Sequence, residues 1–178
     1  IQELRRAATE LAMVGVQWHS RWQGAATDDP WIYRGLEAAG ELQLVPFLHS
    51  HADSALEAIQ LVEKVARAFP DLPIVVLDAF GGYRHALDCF DAAERCPNLL
   101  FDTCQAWNGQ AVQEAVRRFG PHRVLFGSDI YSHPITFRTA NTPALLAEYV
   151  ERDDLALILS GNLERLLAWQ SGDRKEPW

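Results

Sequence analysis

Nowhere in these 178 residues does an apolar run approach the roughly 20 residues that a membrane-crossing helix needs. Cysteine is scarce: Cys89, Cys96 and Cys104 are an odd number, and the seven-residue step in "CFDAAERC" is not a zinc-knuckle spacing. A disulfide framework is therefore not expected, and a reduced, cytoplasmic protein is. No charged-then-apolar leader pattern is visible. Basic residues are outnumbered, 16 Lys and Arg against 24 Asp and Glu, and a net charge of −8 argues against nucleic acid or an anionic membrane as the main partner. Neither GxGxxG nor GxxxxGK(S/T) follows any apolar run, which excludes the usual nucleotide-binding signatures. What remains is an ordinary globular composition, 48% hydrophobic and 22% charged, with a homo-oligomer left open.

Five short apolar runs read as strands: "MVGVQWH" (13–19), "LQLVPFLH" (42–49), "IVVLDAF" (74–80), "NLLFDTC" (98–104) and "RVLFGSD" (123–129). A helical segment follows each. Pro70 and Pro73 close one helix, Pro97 another, and Gly120-Pro121 a third, while Asn162 is placed to N-cap the last, "GNLERLLAWQ". The strand ends recur at intervals of about 24 to 30 residues, which predicts βα units on a parallel sheet. The fold expected is α/β, either doubly wound or a (β/α)₈ barrel. A complete barrel takes about 250 residues, so five units would be its last five-eighths. The opening, "IQELRRAATELAMVGVQW", enters an amphipathic helix with Leu4, Ala7, Ala8 and Leu11 on one face, so the chain is expected to be the carboxy-terminal part of something longer, folding as one domain over 1–178.

Side chains alternate faces along a strand. In the first strand Val14, Val16 and Trp18 oppose Gly15, Gln17 and His19; in the fifth, Val124, Phe126 and Ser128 oppose Leu125, Gly127 and Asp129. Small and polar residues belong inside a barrel near its mouth, so His19 and Asp129 should point inward. The same parity puts Val45, Phe47 and His49 together, with His51 just beyond. Polar residues thus gather at the carboxyl ends of parallel strands, where this architecture places its active site. Asp129 alternatively caps the following turn, and His49 alternatively hydrogen-bonds inside the barrel mouth. Asp102 falls on the inward list, most simply as a hydrogen-bonded interior carboxylate. Trp22, Trp107 and Tyr131 lie where loops would roof a pocket.

The pieces "GVQWHS", "LVPFLHSHAD", "FPDLPIVVLDAFGG", "CPNLLFDTC", "RVLFGSDIY" and "ILSGNLERLL" together resemble the amidohydrolase superfamily. The resemblance is to the amidohydrolase-related group that includes aminocarboxymuconate semialdehyde decarboxylase and the pyrone dicarboxylate lactonases. It implies a (β/α)₈ barrel holding a divalent metal, often zinc, at its mouth. Two ligands of that family come from a His-x-His before Ile1. His49 matches the histidine ligand ending strand five, and Asp129 the carboxylate ending strand eight, which is both ligand and catalytic group. His19, His51, Tyr131 and His133 are then the candidate substrate-binding residues.

One position departs from the pattern. The family often carries "VVLDHFGG" where this chain reads "VVLDAFGG", so Ala79 replaces a histidine. Strand alternation argues that Asp78 cannot take its place, leaving Ala79 to face the cavity. On these grounds the expected activity is metal-dependent hydrolysis of a small carboxylated or cyclic substrate. The alternatives are a nonoxidative decarboxylase of the same group and a non-catalytic barrel serving as a scaffold.

Overall fold

A computed structural model describes residues 1–130 and 141–170. Five strands form one parallel sheet in chain order: β1 (Gly15–Trp18), β2 (Val45–His49), β3 (Ile74–Leu77), β4 (Leu99–Asp102) and β5 (Val124–Leu125). The helices are α1 (Gln2–Glu10), α2 (Ser20–Gln23), α3 (Pro30–Glu41), α4 (Ile59–Ala68), α5 (Tyr83–Arg95), α6 (Gly109–Phe119), α7 (Thr142–Leu146), α8 (Arg152–Ala156) and α9 (Asn162–Gln170). Each expected strand is present, and the proline and glycine stops fall where the sequence places them. Helix α4 ends before Pro70, α5 ends before Pro97, and α6 stops at Gly120 with a left-handed φ of 82°.

The sheet sorts its side chains as strand alternation requires. Leu48, Ile74, Val76, Leu99, Phe101 and Val124 pack against the helices. Val45, Val75, Leu100 and Leu125, with Phe47 and Leu77, line the opposite, inner face, closed by Leu166 and Trp169 of α9. Trp18 sits so close under α3 that a Cβ on Gly35 would lie 2.8 Å from its ring. Leu4 and Ala8 of α1 reach this core, whereas Leu11 is exposed, so the first helix covers less than its amphipathic pattern predicts.

Two local expectations fail. Asn162 is not an N-cap: α8 continues through a π-helical turn (Leu157–Gly161) into α9, and Asn162 lies inside this run with helical φ and ψ. Its buried amide instead donates to the carbonyls of Pro121 and Val124, fastening the helix to β5. The fifth strand is also shorter than 123–129. Beyond Leu125 the Thr103 side chain replaces the ladder, its hydroxyl donating to the Gly127 carbonyl and accepting from the Gly127 N–H.

Candidate active site

The carboxyl ends of β1 to β5 bring together a continuous polar cluster. His19 follows β1 and His49 ends β2; their rings stack at 3.8 Å with planes 15° apart. His49 Nδ1 meets Asp78 Oδ2 at 2.9 Å, and its Nε2 meets Gln17 Nε2 at 2.7 Å. An amide nitrogen only donates, so Nε2 of His49 is the acceptor and Nδ1 carries the proton toward Asp78. His19 repeats the device: its Nδ1 lies 2.6 Å from Oε1 of Glu57, a residue of the loop between β2 and α4 whose side chain is 0% exposed. The same oxygen accepts the Arg21 N–H at 3.0 Å. Burial lowers the His19 pKa, and the neighbouring His49 lowers it further.

Asp78 corrects the sequence argument. Its backbone is left-handed, φ 64°, which breaks the alternation at the end of β3 and turns the carboxylate into the site. Ala79 is fully buried in the helix-facing core instead. Gln105 and Asp129 have left-handed backbones too, at φ 59° and 45°. Non-glycine residues hold such conformations at a cost of about 1–3 kcal/mol each, and they concentrate at functional sites. Gln105 Nε2 donates to Asp129 Oδ2 at 2.9 Å and fixes that carboxylate.

Asp102 lies inward at the end of β4, only 6% exposed, as parity expects. Gly127 approaches it so closely that a Cβ there would sit 2.5 Å from Asp102 Oδ2 and 2.6 Å from the Cys104 sulfur. Burial pushes the Asp102 carboxyl up to about 7, aided by the charge of Asp78 and opposed by the Cys104 thiol and backbone hydrogen bonds. Burial also pushes the Cys104 thiol up, with Asp102, Asp78 and Asp129 adding to the effect, so it remains a thiol and no nucleophile.

His19, His49 and Asp129 therefore occupy one end of one sheet. His51 stands to the side, lining a cavity of about 290 Å³ with Asp53, Asp78, Gly81, Gly82, Tyr83, Arg84 and His85. Tyr131 and His133 lie outside the described residues. Trp22 is 81% exposed but approaches the His19 ring to 5.3 Å. Sequence reasoning missed Glu57, Asp78 and Gln105. Gln17 was legible from parity, being on the inward list with His19. Among the described residues no three His, Cys, Asp or Glu side chains converge closely enough to hold a metal.

Solved structures share this architecture. An uncharacterized TIM-barrel protein from Bordetella bronchiseptica superposes with a TM-score of 0.74 at 22% identity, covering 96% of this chain and 62% of that one. A 5-carboxyvanillate decarboxylase from Novosphingobium aromaticivorans, complexed with manganese and 4-hydroxy-3-methoxy-5-nitrobenzoic acid, gives 0.68 at 18% identity, covering 93% and 59%. A 2,6-dihydroxybenzoate decarboxylase from Rhizobium gives 0.65 at 16% identity, covering 94% and 66%. The five-stranded sheet is thus part of a (β/α)₈ barrel, and the chain spans about three fifths of the length of such structures. A search of curated protein sequences finds no match. Residues 1–169 match the family model described as Amidohydrolase, and the chain belongs to that family.

Proposed function

We propose that these residues form one side of a divalent-metal-dependent enzyme that decarboxylates a small carboxylated aromatic substrate without an oxidant. The observation that carries this reading is the pairing of His49, oriented by Asp78 through Nδ1, with Asp129 at the same end of the sheet. A carboxylate on the far nitrogen of an imidazole is the usual support of a metal-ligating histidine. His49 Nε2 and the Asp129 carboxylate would hold the metal, a nitrogen and oxygen pair that suits manganese or the zinc suggested by the family resemblance. The other ligands would come from outside these residues. Such a metal polarises a substrate oxygen when bound.

In the reaction the carbon–carbon bond to the carboxylate breaks and CO₂ departs. The electron pair left on the ring carbon takes a proton, a transfer assigned to Asp129, whose carboxylate Gln105 holds. Hydrolysis was favoured by the alanine at position 79. That ground weakens, because Asp78 turns toward His49 and brings a further ionisable group into the site, while the family histidine itself stays absent. The scaffold reading rested on the same alanine and weakens with it. His19 lines this site beside His49 and is taken as a substrate-facing residue.

The test is manganese binding to the protein, followed by titration calorimetry, together with CO₂ release from a panel of hydroxybenzoates. His49→Ala and Asp129→Asn should each weaken metal binding at least tenfold and abolish any turnover. Metal binding that both substitutions leave unchanged would remove the basis of the proposal.

A further inference from the structure

Glu57 is an expensive residue. A wholly buried carboxylate persists only where its hydrogen bonds are used. Here Oε1 takes the Arg21 N–H and the His19 ring, while Oε2 has no hydrogen bond and lies 3.8 Å from the Arg21 guanidinium nitrogen. The loop after β2 thus reaches back to the loop after β1 to hold one imidazole. The consequence lies at the other ring nitrogen. With Nδ1 donating to Glu57, the neutral His19 ring presents a lone pair at Nε2. His49 is built identically, but its Nε2 is satisfied by Gln17. His19 Nε2 has no hydrogen-bond partner among the described residues, and the ring is stacked on His49. The side chain is 23% exposed, so a ligand can reach it.

We infer that His19, held by Glu57, is the specificity residue that accepts a hydrogen bond from a hydroxyl or amino group of the substrate, with Glu57 as its positioning residue. The inference rests on the proposed function of this site and names the substrate class it takes: small aromatic acids that carry an O–H or N–H donor. A bare carboxylate or an ether oxygen has no proton to offer Nε2, and such a ligand leaves the lone pair unmet.

Two measurements test it, the first on the protein loaded with diamagnetic zinc and the second on the manganese-loaded protein. Long-range ¹⁵N spectra of the imidazoles should show His19 protonated at Nδ1; Glu57→Gln should disturb that signature at His19 and leave His49 unchanged. Calorimetry with 2,6-dihydroxybenzoate and 2,6-dimethoxybenzoate should show about a tenfold preference for the hydroxylated probe. His19→Phe, which keeps a ring on His49, should erase the preference, and His19→Ala serves as the second variant should the first not fold. The wild-type comparison needs no variant. Equal binding of the two probes overturns this inference while the proposed function stands. Binding of neither overturns both. Protonation of His19 at Nε2, or a preference that Glu57→Gln leaves untouched, removes the role assigned to the pair.

Discussion

Replacing Asp102 by Asn should change how stability depends on pH. In the folded protein burial raises this carboxyl from an ordinary 3.8 to about 7, with Cys104 and Asp78 as the groups that face it. Between those values the native state keeps a proton that the unfolded chain has lost. Unfolding then releases a proton, so rising pH favours the unfolded state across that interval. At about 1.4 kcal/mol per pH unit, an interval of about three units amounts to a penalty on the order of 4 kcal/mol, absent below pH 4 and complete above pH 7.

Histidines act in the opposite sense. Burial lowers His19, His85 and His122 from 6.5, so the native state binds fewer protons than the unfolded chain below that value, and these groups make stability rise with pH up to about 6.5. The difference between the wild-type and Asp102→Asn profiles cancels the histidines and isolates the carboxyl. Urea unfolding followed by fluorescence at pH 4.5 to 8 measures it. The variant should gain on the wild type steadily up to pH 7 and then run parallel. Some of the gain is offset because the asparagine amide faces N–H and thiol donors that a carboxylate accepts. Two profiles that stay parallel from pH 4.5 to 8 would refute the account, whatever their vertical separation.

Gln17→Ala frees His49 Nε2 from its 2.7 Å contact, and since that bond must break before a metal can bind, manganese affinity should rise roughly two- to tenfold. Calorimetry reads this, and an unchanged or weaker affinity would mean that Gln17 does not compete at that nitrogen. Arg123 is buried with its guanidinium donating to the carbonyls of Ala93, Cys96 and Leu99, so Arg123→Met orphans the end of α5 and the start of β4. A loss of about 3 kcal/mol is expected by urea titration; less than about 1 kcal/mol would show that water replaces the arginine.

Strand alternation and the spacing of βα units are legible in the sequence, because both depend on covalent geometry that every strand shares. They place Gln17, His49 and Asp102 on the inner face, and the structure agrees; Asp129 also lies at the carboxyl end, but beyond the last residue of β5 and with a left-handed backbone, so alternation did not decide its direction. The same rule failed at Asp78, since it holds only while the backbone stays extended, and a left-handed residue at the end of β3 is a local choice that nothing in "VVLDAFGG" announces. Asn162 failed for a related reason: a capping residue type says nothing of whether the preceding chain is already helical. Glu57 and Gln105 lay beyond sequence reasoning altogether. Their partners, His19 and Asp129, are 38 and 24 residues away and meet them only when neighbouring loops fold over the same end of the sheet. The sequence by itself determined which strands form and which of their side chains face inward; only tertiary packing decided which carboxylate or amide orients each of them, because that depends on loops whose paths are set by what they pack against.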